Sequence, residues 1–193
     1  LANNDGDVMV TGVNKSYYNN LEDIYKALSN KDNDIVFSYS IKITKDKNIL
    51  IADSSIIADP TANQLAQIAL QTAKIVKSLG ETPRIAFLSF RNFGDPTTIG
   101  TVKITEAMEI LDDLKVDFEY DGEMTADNAL AKNVRDVYPF CRLSGPANIL
   151  IMPDLASASI STKLLQSLSG GKFIGPIITG FEKPVQLVSA NAS

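Results

Sequence analysis

The sequence predicts an α/β fold built on a mostly parallel sheet. Short β-type apolar runs alternate with helical patterns along the chain, and turn residues bound them. No internal repeat or low-complexity tract interrupts that alternation. At 193 residues the chain is long enough for one large domain or two small ones. Scaling of surface with mass lets about 70% of the extended chain's surface be buried, so no disulfide or metal staple is required.

The elements follow in order. Val8-Met9-Val10-Thr11 reads as a short strand ending at Gly12, and Leu21, Ile24, Tyr25 and Leu28 recur at helical spacing over about Tyr18–Ser29. Ile35–Ile43 alternates apolar with polar, Thr44–Asn48 turns, and Ile49–Ala52 returns, an antiparallel hairpin expected at an edge of the sheet. Asp59-Pro60 is expected to open a helix, Asp59 capping and Pro60 first in the turn. Leu65, Ala69, Ala73, Val76 and Leu79 then carry this helix to Gly80. Arg84–Ser89 reads as a buried strand, 91–100 as a polar loop, and Ile104, Met108, Leu111 and Leu114 as a helix. Val116–Tyr120 is expected to be a strand, Thr125–Lys132 a short helix and Asn133–Pro146 a loop. Ile149–Met152, Phe173-Ile174 and Pro184–Val188 read as strands, and Ser159–Leu168 as a helix.

Composition narrows the chemistry. Eighteen basic against 23 acidic side chains give a net charge of −5, which argues against general nucleic-acid binding. One cysteine and no histidine exclude an internal disulfide, a Ser-His-Asp triad, a Cys-His pair and His-ligated zinc or haem. No apolar run reaches the roughly 20 residues of a membrane span. Leu1-Ala2-Asn3-Asn4-Asp5 lacks the basic start and apolar stretch of a signal peptide. Mean hydropathy is +0.02, and a cytoplasmic protein is expected. The opening on Leu1 instead of Met points to a piece of a longer polypeptide.

Four conspicuous turns are expected at the carboxyl ends of parallel strands, where open α/β sheets bind ligands. They are Ser89–Gly94, Asp121–Glu123, Pro153-Asp154 and Gly175-Pro176. Ser157–Lys163 (SASISTK) is expected at a helix start, where free amides, hydroxyls and an ammonium can hold a phosphate, or where serine simply caps. Arg91, Lys103, Arg142, Lys163 and Lys183 lie in or near these turns and can hold a polyanion or stand as scattered surface charge. Asp121, Glu123 and Asp127 can serve as bases or magnesium ligands, or cap a turn and a helix. Cys141 lies beside Arg142, which can lower a thiol pKa, although a lone cysteine is more often packed. No P-loop or dinucleotide fingerprint is present.

The same segments stand in a recognisable order. Asp121-Gly122-Glu123-Met124-x-Ala126-Asp127 precedes Ser144-Gly145-Pro146-Ala147-Asn148 and Ile149–Leu155 (ILIMPDL). Ser161-Thr162-Lys163, Ile174-Gly175-Pro176 and Lys183-Pro184-Val185 follow, with Ile51-Ala52-Asp53 and Asp59-Pro60-Thr61-Ala62 upstream. This order resembles the phosphate acetyltransferase/butyryltransferase family over nearly the whole chain. Ser89–Gly94 (SFRNFG) and Tyr138–Pro146 (YPFCRLSGP) are similar to the branch that forms the C-terminal domain of large bacterial NADP-dependent malic enzymes.

The resemblance implies a three-layer α/β/α architecture like that of isocitrate and isopropylmalate dehydrogenases, present here as a partial domain. It implies a remnant of a first subdomain in 1–34, a second subdomain in 35–175, and a return toward the first in 176–193. It also implies dimerisation through the second subdomain, as a homodimer or higher homo-oligomer; no nucleic-acid or membrane partner is expected, on the acidic balance and the lack of a membrane-length apolar run. Ligand-binding residues expected on this reading are Ser89, Asn92, Arg142, Ser144, Asp154, Ser161, Lys163, Gly175 and Pro176. Active transferases carry a Ser-Arg pair after the Lys-Pro-Val strand; here Ser189 is retained and Ala190 replaces the arginine. An arginine of the first helix is matched loosely by Glu22. Losing one guanidinium aimed at a developing anion costs about 10²–10³ in rate, by analogy with a lost oxyanion-hole donor.

Three functions follow from the resemblance. The first is a catalytically silent module that senses acetyl-CoA and dimerises, attached to a malic-enzyme half that converts malate to pyruvate and CO2. The second is a purely structural dimerisation domain. The third is a working phosphate acetyltransferase. No cofactor is expected in this chain; NADP and Mg or Mn would belong to the malic-enzyme half, with acetyl-CoA as effector.

Overall fold

A computed structural model describes residues 1, 3, 5–12, 15–30, 34–94 and 101–188. The strands are β1 (Met9–Thr11), β2 (Phe37–Ile43), β3 (Asn48–Ala52), β4 (Arg84–Leu88), β5 (Glu119–Met124), β6 (Ile149–Ile151), β7 (Lys172–Thr179) and β8 (Val185–Leu187). The helices are α1 (Tyr17–Ala27), α2 (Ala62–Ser78), α3 (Val102–Asp113), α4 (Ala126–Ala129), α5 (Val134–Val137) and α6 (Leu155–Leu168). A six-stranded sheet has the order β5-β4-β6-β3-β2-β7, and β1 pairs with β8 in a separate two-stranded ribbon. Strands β3, β6, β4 and β5 are mutually parallel, and β2 runs antiparallel to both β3 and β7.

Side-chain alternation along the parallel strands builds two cores. Leu50, Ala52, Ile85, Phe87, Ile149 and Ile151 face α2 and α3, where they meet Leu65, Ala69 and Leu111. Ile49, Ile51, Ala86, Leu88, Leu150 and Met152 face the other way, onto Ala129, Val134 and Ala158 of α4, α5 and α6. Helices thus cover both faces, which is why these strands read as continuous apolar runs. Burying a side chain such as Phe87 contributes about 1.5–3 kcal/mol. A third cluster packs Leu21 and Ile24 of α1 against Ile178, Val185 and Leu187.

Several boundaries differ from the sequence expectation. The β2–β3 hairpin forms, but β7 pairs outside it, so β2 is interior and β7 is the edge strand. The α2 cap is Thr61, which forms a reciprocal capping box with Gln64, while Asp59 pairs with Lys103 at 2.6 Å. Asp121-Gly122-Glu123 lies inside β5, with Asp121 and Glu123 buried, not in a turn. Gly175-Pro176 lies inside β7, as proline tolerates on an edge strand. A short helix, α5, interrupts the expected loop 133–146. Helix α6 begins at Leu155 with Asp154 as its cap, so Ser157–Lys163 is helix body. No helix of the described residues is long and apolar enough to cross a membrane.

Candidate functional site

The parallel strands bring their carboxyl ends to one edge of the sheet. There lie Asp53-Ser54-Ser55 after β3, Ser89–Gly94 after β4, Thr125 after β5 and Pro153-Asp154 after β6. The antiparallel β2 contributes its first residues to the same edge, since Phe37 pairs with Thr179 and Tyr39 with Ala52.

Asp53 organises this edge. Its Oδ1 accepts from Ser38 Oγ at 2.7 Å, from Ser38 N and Ser55 N at 3.0 Å each, and from Ile56 N at 3.2 Å. Its Oδ2 accepts from Ile57 N at 2.6 Å. A buried carboxylate needs such donors to offset lost hydration. Four serine hydroxyls extend the network: Ser38 lies 3.0 Å from Ser54 and 2.8 Å from Ser55, and Ser40 donates to Ser54 at 3.1 Å. Tyr17 of α1 reaches Ser55 at 2.6 Å, and burial pushes its phenol above the usual value. Gly175 of β7 lies beside this network with φ +132°, and a Cβ there would stand 2.6 Å from Ser40 Oγ and 2.8 Å from Ser40 Cα. Only glycine fits such an approach. Pro176 presents its carbonyl to Gln186 Nε2 at 2.6 Å.

The turn after β4 is tied to β5. Ser89 N bonds Met124 O at 2.9 Å, and Phe93 N bonds Glu123 O at 2.8 Å. Asn92 Oδ1 accepts from Thr125 N at 2.8 Å and Thr125 Oγ1 at 3.1 Å. Arg91 Nε donates to Glu123 Oε1 at 2.7 Å and its Nη2 to Thr101 Oγ1 at 3.0 Å. Phe93 holds φ +47°, its ring packed 5.1 Å from Tyr138 and 4.9 Å from Phe140.

The expected site residues fall into three groups. Ser89, Asn92 and Asp154 lie at the carboxyl edge, with Gly175 and Pro176 beside its serine network. Ser161 and Lys163 lie within α6; of the amides that begin this helix, Ser157 N goes to Asp154 Oδ1 and Leu155 N to Ala58 O. The expected cradle of free amides at Ser157–Lys163 is therefore absent from that stretch. Ser144 lies at the opposite edge, its N and Oγ both bonded to Glu119 Oε2 at the start of β5. Arg142 is also remote from the β4 turn, gripping Asp112 at 2.7 and 3.2 Å and stacking over Tyr120. Ser189 and Ala190 lie outside the described residues.

Cys141 does not carry a lowered pKa: burial is the chief influence and pushes the thiol up, while Arg142 is turned to Asp112. Asp121 accepts Arg142 N at 2.7 Å, and Asp127, at the start of α4, is held below the usual carboxylate range chiefly by the Thr125 hydroxyl. Among the described residues no group of three or more His, Cys, Asp or Glu could hold a metal ion. Ser38 and Ser40 escaped the sequence reading because polar positions of an alternating strand read as solvent-facing, and Ser54 because it follows its strand as an ordinary turn residue. The clue was the run Asp53-Ser54-Ser55 directly after an apolar strand.

This arrangement, a doubly covered parallel sheet with an antiparallel β2 and a polar carboxyl edge, has the phosphotransacetylase fold. The phosphotransacetylase of Streptococcus pyogenes superposes with a TM-score of 0.89 at 31% identity, over 100% of this chain and 60% of that one. The EutD phosphotransacetylase of Staphylococcus aureus gives 0.83 at 26%, over the same shares. The chain belongs to the phosphate acetyl/butaryl transferase family, whose pattern matches residues 1–193.

Curated relatives include a probable NADP-dependent malic enzyme of Rickettsia prowazekii, 52% identical over 203 residues, covering 100% of this chain and 26% of that protein. The NADP-dependent malic enzyme of Rhizobium meliloti is 45% identical, covering 100% of this chain and 25% of that protein. The phosphate acetyltransferase of Treponema pallidum is 36% identical over 148 residues, covering 75% of this chain and 44% of that protein. The chain thus spans about a quarter of the length of the malic enzymes it matches.

Proposed function

We propose that this chain is the phosphotransacetylase-like region of a bacterial NADP-dependent malic enzyme, silent as a transferase, which binds acetyl-CoA and dimerises. The observation that carries the reading is the 52% identity to a malic enzyme along the whole chain, together with Ala190 where the transferases' arginine is expected. Three of the five bases of the expected anion site support silence: Arg91, Lys103 and Arg142 each pair with a carboxylate, at 2.7, 2.6 and 2.7 Å, while Lys163 and Lys183 do not among the described residues. Dimerisation is supported by the exposed Ile160, Leu164 and Leu168 of α6 and Ile174 of the edge strand, since apolar patches of this kind are commonly covered. Oxidation of malate, with its NADP and divalent metal, would reside in the rest of the protein, in the cytoplasm.

The test uses the full-length protein. Titration calorimetry with acetyl-CoA should give saturable binding, and thiol release from acetyl-CoA and phosphate, as acetyl phosphate forms, should stay at least about 10²-fold below an ordinary transferase. Heat-silent titration at millimolar acetyl-CoA removes the sensing role and leaves a structural dimerisation domain. Turnover at ordinary enzyme rates makes it a phosphate acetyltransferase, the reading favoured by its resemblance to the Treponema pallidum protein.

A further inference from the structure

One cavity among the described residues lies away from the carboxyl edge. It has a volume of about 760 Å³ and opens at the amino-terminal ends of the parallel strands, between the β2–β3 turn and the segment leading into β6. We propose that this groove binds a diphosphate-bearing small molecule, of the inorganic diphosphate or nucleoside diphosphate class.

Charge is the first reason. Lys45, Lys47, Arg84 and Lys132 line the groove, against Asp46 and Glu81. Four cations less two carboxylates leave +2 in the groove of a chain whose net charge is −5, so the remainder carries −7. None of these four cations forms an ion pair among the described residues, whereas Lys15, Lys26, Lys77, Arg91, Lys103 and Arg142 do. Glu81 is drawn aside: Asn48 donates to one of its oxygens at 3.2 Å and Asn148 reaches the other at 3.5 Å. Glu119, the acid that bears on Arg84 from β5, is taken by Ser144. Unpaired like charges gathered in a concavity focus an attractive field on a polyanion.

Construction is the second reason. The turn bearing Lys45 and Lys47 is clamped, with Thr44 N and Oγ1 both bonded to Lys47 O and Lys47 N bonded back to Thr44 Oγ1. Arg84 is anchored by Nε to Pro146 O at 2.8 Å, which fixes the plane of its guanidinium. Leu130, Pro146 and Ala147 give the groove an apolar floor. The volume lies within the roughly 300–1,000 Å³ usual for small-molecule sites, and a guanidinium flanked by ammonium groups suits two adjacent phosphates better than one carboxylate.

The site is separate from the acetyl-CoA reading, and the experiment keeps them apart. Inorganic diphosphate and ADP are titrated into the full-length protein, its Lys45→Gln/Lys47→Gln/Lys132→Gln variant and a Lys74→Gln control on the exposed face of α2. Saturable 1:1 binding, weakened about tenfold or more in the triple variant and within about twofold in the control, is the expected result. Affinity should also fall as salt rises. Tighter binding of ADP assigns the nucleotide; equal affinities assign the diphosphate alone. Failure of both to saturate at about 10 mM, or unchanged affinity in the triple variant, overturns the proposal. Acetyl-CoA, which itself carries an adenosine diphosphate moiety, is titrated into the same variant: binding that survives the triple substitution belongs to the carboxyl edge, and binding weakened in step with ADP belongs to the groove.

Discussion

Arg91 and Glu123 meet at 2.7 Å, Nε to Oε1, and join the turn after β4 to the end of β5. The Glu123 side chain is 6% exposed and that of Arg91 24%, so the pair is largely out of water. Its worth lies less in net attraction than in the cost of breaking it, because either charge left alone is poorly solvated. Arg91→Ala should therefore destabilise by about 3 kcal/mol or more, whereas Glu123→Gln, which keeps an acceptor for Arg91, should cost less. Urea midpoints for the two variants decide this. Equal losses would mean that the carboxylate's charge is not what the site must balance.

Gly175 is predicted to be intolerant of a methyl group. Its φ of +132° disfavours any side chain, and the added Cβ would strike the Ser40 backbone as well as its hydroxyl. Gly175→Ala should cost about 1–3 kcal/mol from backbone strain alone. Adding Ser40→Gly should not restore stability, because Ser40 Cα remains 2.8 Å from the new atom. Thermal melts of the single and double variants test both statements.

Tyr120 sets a limit at alkaline pH. Its phenol is pushed up to about 12, first by burial and then by its hydrogen bond to Asp112. In the unfolded chain the group titrates near 10. The folded state therefore holds the proton more tightly, and this stabilisation is whole below about pH 10 and lost as pH rises toward about 12. Tyr120→Phe should flatten that decline. Parallel stability profiles for wild type and variant between about pH 9 and 12 would contradict the assignment.

Lys42 is a buried cation satisfied by carbonyls. It lies in β2 at 5% exposure and donates to Gly170 O at 2.6 Å and Ser169 O at 3.3 Å, just past the end of α6. A cation there also opposes the negative end of the helix dipole. Lys42→Met should destabilise by about 1–3 kcal/mol and speed amide exchange in the last turn of α6. Unchanged exchange at Leu165–Leu168 would detach Lys42 from that helix end.

Cys141 should resist alkylation. It is buried, and its thiol is pushed up chiefly by that burial. At pH 8 the native protein should react with iodoacetamide at least about tenfold more slowly than the unfolded chain, since only the thiolate attacks. Equal rates would place the sulfur in solvent.

Apolar order was legible in the sequence, and polar burial was not. Ile49–Ala52, Ile85–Leu88 and Ile149–Met152 announced their strands because both faces are covered and each residue must be apolar. Asp121 and Glu123 read as a turn by their charge, yet they lie in β5, where the Gly122 and Arg142 amides and the Arg91 guanidinium supply donors. Those donors come from distant segments, and no local pattern signals them. Asp59-Pro60 looked like a helix start, but Thr61 won because Gln64 completes the reciprocal bonds that aspartate would have made alone. Ser38 and Ser40 read only as polar positions of an alternating strand, because nothing in β2 itself reveals that Ser38 meets Asp53 and Ser40 meets Ser54.

The ribbon of β1 and β8 has a mechanical consequence. The strands run parallel, Met9 opposite Val185 and Thr11 opposite Leu187. Their outer bonds are Met9 N to Pro184 O at 3.0 Å and Val188 N to Thr11 O at 2.8 Å. Tension that drags β1 backward and β8 forward shears these bonds together and cannot unzip them one by one. An optical trap gripping the protein on either side of the ribbon should record a single rupture before any helix extends.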